Sequence, residues 1–317
     1  MPYPILFRTD VEPYRTILPR IGDGCEVHMW LQDELPADVD PQSIQGIYAY
    51  SHDHVTGAQM EQLPNLKVVS CYAVGVDHID LEGARRLGIP VGHTPGVLDD
   101  TTADMTFALL MAAARNLVQG DRYARGPEYT RFDCKVLVGQ DVSGQTLGIV
   151  GLGRIGYQVA RRAAGFDMPI IYHNRTRNEK AERDLDATYV SLEELLSTAD
   201  FVTLNMPLTE ETRKMIGSQQ LALMKPTATL VNIGRGGTVD HEALLETMRS
   251  RRIHAAALDV TDPEPLPRDH ALNSLDNVII MPHLGSASEQ TRDAMAKMAA
   301  ANLMAGLEGR ELPHRIC

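Results

Sequence analysis

The sequence predicts an α/β protein of two domains, each built on a doubly wound sheet. Its 317 residues are about twice the length of roughly 150 residues expected of one domain. From Thr146 onward, short buried-strand runs alternate with helix-like segments, which is typical of a parallel sheet with helices on both faces. Between residues 1 and 95, shorter apolar runs are separated by polar segments, and they predict a smaller α/β unit.

In the first unit, the strand runs are Ile5 to Phe7, Gly46 to Ala49 and Val68 to Cys71. A long helix is predicted from about Asp100 to Leu117, because apolar residues recur there at helical spacing. Thr101 and Thr102 are candidate caps for its start.

In the second unit, six short apolar runs predict buried strands. They are Leu147 to Val150, Ile170 to Tyr172, Phe201 to Leu204, Thr229 to Asn232, Ala255 to Leu258 and Val278 to Ile280. Ser191 with Glu194, and Asp240, are typical helix start signals. A last helix is predicted after Ser286, ending at about Leu307.

Composition and charge exclude several classes of protein. A net charge of −12 repels the phosphates of nucleic acid. The longest apolar run, Phe107 to Ala114, is far shorter than a membrane span of about 20 residues. The N-terminus lacks the features of a secretory signal, so the expected location is the cytoplasm. The four cysteines lie far apart, which predicts reduced thiols rather than a disulfide framework or a zinc site.

A glycine motif follows the first strand of the second unit. Gly151, Gly153 and Gly156 stand in the pattern G-x-G-x-x-G between that strand and a helix-like segment. In this context the first glycine makes a tight turn, the second lets a pyrophosphate approach the backbone, and the third allows close packing of the helix. The motif therefore predicts a dinucleotide cofactor, with a glycine turn that binds nothing as the alternative.

The loop after the next strand contains no carboxylate at the place where an NAD enzyme usually holds the ribose hydroxyls. Asn174, Arg175 and Thr176 stand there instead. An arginine forms charge-assisted hydrogen bonds with a phosphate, so this loop predicts NADP as the cofactor. The alternative is that Arg175 is an ordinary surface arginine.

Three further strands end in residues that suit the reduction of a 2-keto acid: Arg235, Glu264 and His283. Hydride addition to the keto carbon leaves negative charge on oxygen, which an imidazolium can protonate and an arginine can stabilise. A carboxylate beside the imidazole favours its protonated form and fixes its orientation. Taken singly, each residue has another interpretation, as a surface charge, a turn carboxylate or a hydrogen-bonded strand-end histidine.

Taken together, these segments resemble the D-2-hydroxyacid dehydrogenase family. The glycine motif, NIGRGG, ALDVTDPEPLP and PHLGSAS, followed by Thr291-Arg292, occur in the order of that family's signatures. The resemblance implies a Rossmann cofactor domain at residues 99–286, inserted in a smaller flavodoxin-like catalytic domain at residues 1–98 and 287–317. It also places the active site in the cleft between the two domains.

The resemblance assigns roles to individual residues. It implies Arg235, Glu264 and His283 as catalytic, with Arg235 on the substrate and Glu264 as the partner of the acid/base His283. It implies that the substrate is also bound by Tyr50, Ala73, Val74, Gly75 and Ser286. It implies that the cofactor is bound by Gly151, Gly153, Arg154, Ile155, Gly156, Asn174, Arg175, Thr176, Pro207, Ile233, Asp259 and Gly285.

Finer details are similar to glyoxylate/hydroxypyruvate reductases, which use NADPH. They imply reduction of glyoxylate and hydroxypyruvate to glycolate and D-glycerate, with 2-ketogluconate reductase as the alternative within the family. Tyr50 stands where the family usually has an aliphatic residue, which leaves the substrate size open. An alternative of another class is a corepressor-like regulatory protein that binds NAD(P).

The resemblance further implies a homodimer, formed through the helix at residues 100–117 and the loop after it. No metal site is predicted. His52, Asp53 and His54 are residue types that can bind a metal ion. The two histidines lack a third plausible ligand nearby, and the family has an ordinary loop there.

Overall fold

The computed structural model describes residues 2–8, 20–21, 24–50 and 54–317. These residues form two compact units, one made of Met1–Leu98 with Ala287–Cys317 and the other of Asp99–Ser286. The first unit thus uses two separate stretches of chain, whereas the second is continuous.

Within the described ranges, the strands are β1 (Tyr3–Arg8), β2 (Cys25–Trp30), β3 (Gly46–Ala49), β4 (Val68–Cys71), β5 (Val91–Gly92), β6 (Leu147–Val150), β7 (Ile170–His173), β8 (Thr188–Tyr189), β9 (Phe201–Leu204), β10 (Thr229–Asn232), β11 (Ala255–Leu258) and β12 (Val278–Ile280). The helices of the same ranges are α1 (Gly57–Glu61), α2 (Leu81–Leu87), α3 (Asp99–Ala114), α4 (Leu117–Arg125), α5 (Arg154–Ala164), α6 (Glu179–Leu185), α7 (Leu192–Thr198), α8 (Ser218–Leu223), α9 (His241–Arg249) and α10 (Glu289–Leu307).

The first unit is built on a sheet in the order β2-β1-β3-β4-β5. Its strand pairs are parallel: Ile5 of β1 lies beside Val27 on one side and beside Gly46 on the other. The chain starts in β1, adds β2 on one side, and then adds the remaining strands on the other side. This is the flavodoxin-like order.

Helix α10 covers β3 and β4. A Cβ atom on Gly46 of β3 would lie 3.0 Å from the Leu303 side chain, and one on Gly306 would lie 2.5 Å from Val68 of β4. The absence of side chains at these two glycines therefore lets the helix and the sheet approach closely. After the helix, the backbone of residues 314–317 hydrogen-bonds to β5 and to the residue that follows it.

The second unit is built on a parallel sheet in the order β12-β11-β10-β9-β6-β7-β8. From β6 the chain moves outward through β7 and β8, and then crosses to the other side of β6 for β9 to β12. This is the strand order of the Rossmann fold. The two directions of winding separate between β6 and β9, and ligands bind at the carboxyl ends of strands at such a point.

Both faces of the second sheet are buried. In β6, Leu147 and Ile149 pack into one apolar cluster and Val150 packs into another, and in β10 Val231 and Leu230 divide in the same way. Successive side chains of a strand point to opposite faces, so a strand buried on both faces has a continuous apolar sequence. This is why apolar runs alone predicted these strands.

The prediction of one helix from Asp100 to Leu117 is wrong at its end. Helix α3 stops at Ala114, and Asn116 has a φ of +52° ahead of α4. Asparagine tolerates this left-handed conformation, which breaks the helical path. The start is predicted to within one residue, since α3 begins at Asp99, but the candidate caps Thr101 and Thr102 lie inside the helix.

Two predicted helix starts are confirmed. Asp240 accepts hydrogen bonds from the N–H groups of Glu242 and Ala243, and Ser191 accepts one from the N–H of Glu194. The predicted fold class is confirmed as well, since both sheets are parallel and doubly wound. In the described part of the chain, no helix is both long and apolar enough to cross a membrane.

Candidate active site

The glycine loop after β6 is shaped by two close backbone approaches. Gly151 has a φ of +98°, and a Cβ atom there would lie 2.7 Å from the backbone nitrogen of Met206. A Cβ atom on Gly156 would lie 2.4 Å from the carbonyl oxygen of Gly151. A Cβ atom on Gly153, in contrast, would meet no atom within 4 Å. The loop therefore packs tightly at its two ends and is open at Gly153.

The amino end of α5 follows this open glycine. Gly153 is the N-cap residue and provides no side-chain cap for the first turn. Gly153 and Arg154 are exposed, and Ile155 is half-buried. The first N–H groups of a helix carry partial positive charge, so this end of α5 suits an anionic group such as a pyrophosphate.

Asn174 holds the glycine loop from the neighbouring strand. Its side-chain oxygen accepts a hydrogen bond from the Leu152 N–H at 2.7 Å, and its amide nitrogen lies 3.3 Å from the Leu152 carbonyl. Asn178 also donates to that carbonyl, at 2.9 Å. The structure thus places the predicted cofactor ligand Asn174 on the backbone of the loop.

Arg175 and Thr176, the other two predicted contacts of the cofactor phosphate, are exposed. Within the described residues, Arg175 forms no ion pair within 4.0 Å. It contributes to the lowered pKa of Glu211, whose main cause is the hydrogen bond from Thr209. The positive charge at this loop therefore remains accessible.

The sequence interpretation missed a second arginine in this loop. Arg177 forms two hydrogen bonds with the Glu182 carboxylate, at 2.9 and 2.7 Å. The same carboxylate accepts a hydrogen bond from the Tyr172 hydroxyl at 2.5 Å. Arg177 is therefore engaged within its own loop, and the five-residue spacing to Glu182 is the only signal in the sequence.

The loop that carries Arg235 is fixed by the last residue of β10. The Asn232 side chain accepts a hydrogen bond from the Gly234 N–H at 3.1 Å and donates one to the Arg235 carbonyl at 3.0 Å. A Cβ atom on Gly236 would lie 2.0 Å from the Thr261 backbone, so this position requires glycine. Arg235 itself is half-buried.

His283 and Glu264 form a close pair. The Nδ1 atom of His283 lies 2.6 Å from Oε1 of Glu264, and the two side chains are 27% and 33% exposed. His283 has a φ of +55°, and its N–H donates to the Asp259 carbonyl at 2.9 Å. The carboxylate thus fixes the orientation of the imidazole, as an acid catalyst requires.

Asp259 organises the loop after β12. Its two carboxylate oxygens accept hydrogen bonds from the N–H groups of Leu284, at 2.7 Å, and of Gly285, at 2.8 Å. Burial raises the pKa of Asp259, and these two hydrogen bonds together with the nearby His283 act in the opposite direction. The carboxylate therefore supports the loop that carries the candidate acid.

The remaining predicted residues of the second unit lie on the loops after its strands. Pro207 is exposed after β9, and its carbonyl accepts a hydrogen bond from Thr212 at 2.7 Å. Ile233 is buried, and its side chain would lie 3.5 Å from a Cβ atom on Gly285. Ser286 is half-buried at the end of the unit.

In the first unit, Ala73, Val74 and Gly75 form a half-buried loop after β4. Tyr50 follows the adjacent strand β3, and its ring stacks on that of Tyr72 with centroids 4.8 Å apart. The structure therefore brings all four substrate residues predicted in this unit to the carboxyl ends of two neighbouring strands.

The candidate metal ligands His52 and Asp53 lie outside the described residues. Across the part of the chain that the structure describes, no three His, Cys, Asp or Glu side chains are grouped as metal ligands.

Comparison with protein families identifies a match over residues 107–285, to the family described as D-isomer specific 2-hydroxyacid dehydrogenase, NAD binding domain. Among curated relatives, a glyoxylate reductase from Korarchaeum cryptofilum is 45% identical, and the similarity covers 99% of this chain and 96% of the relative. A glyoxylate reductase from Pyrococcus horikoshii is 43% identical, with 93% of this chain and 92% of the relative covered.

Solved structures are similar over the whole chain. The TT0316 protein from Thermus thermophilus is 44% identical, with a TM-score of 0.88 and coverage of 99% of this chain and 100% of the other. An NADPH-dependent glyoxylate/hydroxypyruvate reductase from Sinorhizobium meliloti, solved with NADP and malonate, is 32% identical. Its TM-score is 0.89, and the similarity covers 99% of this chain and 96% of that one.

Proposed function

Because this chain belongs to the D-isomer specific 2-hydroxyacid dehydrogenase family, we propose that it reduces small 2-keto acids, glyoxylate and hydroxypyruvate, to D-2-hydroxy acids at the expense of NADPH. The observation that carries the proposal is the contact of 2.6 Å between His283 and Glu264. A carboxylate-paired imidazole is a proton donor suited to the oxygen of a keto group during its reduction.

The residues present fit a nicotinamide cofactor. Gly151 lies against backbone where a Cβ atom would collide, Gly153 is open, and the amino end of α5 has no side-chain cap. These features suit a pyrophosphate placed against the helix. When bound, the cofactor would supply the hydride.

The remaining roles fall to side chains and backbone groups of this chain. In the proposal, His283 gives its proton to the keto oxygen as negative charge develops there, and Glu264 keeps the ring oriented. The Arg235 guanidinium stabilises that oxygen and contacts the carboxylate of the substrate. The backbone N–H groups of the Ala73–Gly75 loop bind the same carboxylate, while Tyr50 and Ser286 line the substrate.

Steady-state rates test the proposal. We expect the purified protein to oxidise NADPH with glyoxylate and with hydroxypyruvate, and to do so at a higher kcat/KM than with 2-ketogluconate. NADH should support lower rates at limiting cofactor. Absence of turnover with every keto acid would refute the enzymatic proposal and favour a regulatory NAD(P)-binding protein, and preference for 2-ketogluconate would correct the substrate.

The preference for NADPH is assigned to Arg175. An exposed guanidinium at this loop can form a charge-assisted hydrogen bond with the 2′-phosphate, which corresponds to roughly 10- to 150-fold in affinity. We therefore expect Arg175→Ala to lose most of the ratio between NADPH and NADH affinities. The maximal rate should change little, because the phosphate is remote from the reacting carbon and contributes uniform binding.

Arg177→Ala is the matched control, because Arg177 is already paired with Glu182. Titration of the parent and both variants with NADPH and NADH gives the ratio of the two affinities for each of the three proteins. Equal affinities for the two cofactors in the parent, or the same loss in both variants, would contradict the role of Arg175.

A further inference from the structure

We call residues Ala73–Gly75 the carboxylate loop. The first two carbonyl groups of this loop contact the same neighbouring segment. The Ala73 carbonyl accepts a hydrogen bond from the Thr94 N–H at 3.0 Å. The Val74 carbonyl lies 3.1 Å from Nδ1 of His93. Two consecutive residues, His93 and Thr94, therefore fix two consecutive peptide groups of the loop.

The direction of these carbonyls determines the direction of the next two N–H groups. The peptide bonds of this loop are trans, and in a planar trans peptide the C=O and the following N–H point in opposite directions. The N–H groups of Val74 and Gly75 therefore point away from His93 and Thr94. Among the described residues, no backbone carbonyl accepts a hydrogen bond from either of them. Two neighbouring donors of this kind suit the two oxygens of a carboxylate.

His93 is itself held in place by its backbone. Its N–H donates to the His314 carbonyl at 3.0 Å, and its carbonyl accepts a hydrogen bond from the side chain of Asn302 at 3.0 Å. Asn302 is fully buried on α10, and its side-chain oxygen accepts from the His314 N–H at 2.9 Å. The imidazole therefore extends toward Val74 from a fixed base.

From this geometry we infer that His93 is a positioning residue for the substrate carboxylate. It acts through the Val74 carbonyl: with a proton on Nδ1, it donates to that oxygen and thereby orients the Gly75 N–H toward the carboxylate. The inference rests on the proposed function, because it takes the carboxylate loop as the place where the acid group binds.

Removal of the donor is the first test. In His93→Ala the Val74–Gly75 peptide can rotate. We therefore expect the KM for glyoxylate to rise by roughly 5- to 30-fold, which is less than the full value of a hydrogen bond to a charged ligand because the Gly75 N–H is misdirected and not removed. The kcat should stay within about threefold and the affinity for NADPH should not change. Oxamate, a carboxylate that cannot be reduced in this way, should bind to the NADPH complex more weakly by the same factor.

His93→Asn should restore the KM for glyoxylate and the affinity for oxamate. The side-chain nitrogen of asparagine can occupy the branch position of Nδ1 and donate a hydrogen bond. His93→Leu keeps a branched side chain without a donor and should behave like His93→Ala, which keeps the test valid if the alanine variant does not fold. His28→Ala, which removes a half-exposed histidine of β2, is the matched control.

The outcomes separate the inference from the proposed function. Parent-like oxamate affinity in the alanine and leucine variants would overturn the role of His93, as would equal losses in the asparagine and leucine variants. If the parent binds oxamate but reduces no keto acid, the proposed function fails while oxamate binding still tests His93. If the parent binds no carboxylate, both fail.

Discussion

Several polar side chains at the candidate site form hydrogen bonds with the backbone of neighbouring loops. Asp259 accepts hydrogen bonds from two N–H groups of the loop that carries His283. Asn232 accepts from the Gly234 N–H and donates to the Arg235 carbonyl. Asn174 does the same for the glycine loop. The groups assigned to chemistry are therefore presented by loops whose shape depends on neighbouring polar side chains.

His283 is the residue whose loss we expect to have the largest effect on turnover. His283→Ala should lower kcat by about 100- to 10,000-fold, since it removes the proton donor from the chemical step. The affinity for NADPH should stay within about threefold. Glu264→Gln retains an oxygen that can accept from Nδ1 but removes the charge, so its kcat should fall less. Pre-steady-state rates and cofactor titrations measure both quantities, and near-parent turnover in the alanine variant would exclude His283 as the acid.

For single residues, the sequence predicts the position of those that closely follow a strand in the chain. Arg235 and His283 each follow a short apolar strand run, so their place at the carboxyl ends could be predicted from the sequence. The support by Asp259, in contrast, depends on a hydrogen bond to Gly285, 26 positions later in the chain. Periodicity contains no information on such contacts. The role of Asn174 toward a cofactor stays a prediction.

At the scale of elements, the start of α9 is tied to the loop that carries Glu264. His241, the first residue of α9, is buried, with its Nδ1 3.2 Å from the Val239 carbonyl and its Nε2 3.4 Å from the Asp262 N–H. A neutral ring with the proton on Nδ1 makes both contacts, whereas a protonated ring cannot accept from Asp262. Burial lowers the pKa of His241, while its bond to Val239 and the charge of Asp262 oppose this effect.

Acid should therefore weaken this connection. Since the folded pKa of His241 lies below the ordinary value of about 6.5, the unfolded chain binds more protons between those two pKa values. We expect the free energy of unfolding to fall as the pH drops below about 6.5, by up to about 1.4 kcal/mol per pH unit from this group. His241→Gln should remove that slope. Urea titrations of parent and variant from pH 7.5 to 5 measure it, and identical slopes would contradict the assignment.

The elements whose bounds could be predicted from the sequence are mainly the buried strands. The bounds of β6, β9, β10, β11 and β12 were predicted correctly, because most of their side chains are apolar and pack on both faces of the sheet. Strand β8 was not predicted, since Thr188 and Tyr189 are too short a run to show any pattern. The break after α3 depends on the backbone conformation of Asn116, which apolar spacing does not report.

At the scale of the whole molecule, none of residues 117–138 is buried, and we call this segment the arm. Helix α4 within it has no buried residue, while Phe132 and Val138 are 83% and 71% exposed. Exposed apolar surface of this kind is typical of an interface between proteins. It supports the homodimer that the family resemblance implies.

We expect the protein to sediment as a dimer at micromolar concentration. Phe132→Glu combined with Val138→Glu should shift the equilibrium toward the monomer by tenfold or more, because the charges would be buried without partners. Leu31→Glu, at an apolar residue that is 55% exposed outside the arm, is the control and should leave the dimer intact. Sedimentation velocity distinguishes the two states. A monomeric parent would refute the proposal.

The division of the chain between the two units also bears on the order of events during synthesis. Residues 1–98 leave the ribosome first, yet their sheet is covered by α10, which is made near the end. At about 5–20 residues per second, the whole of the second unit is translated in between, over roughly ten to forty seconds. The apolar faces of β3 and β4 must remain uncovered by α10 during that interval. We therefore expect the nascent first unit to need protection from aggregation until α10 has been made.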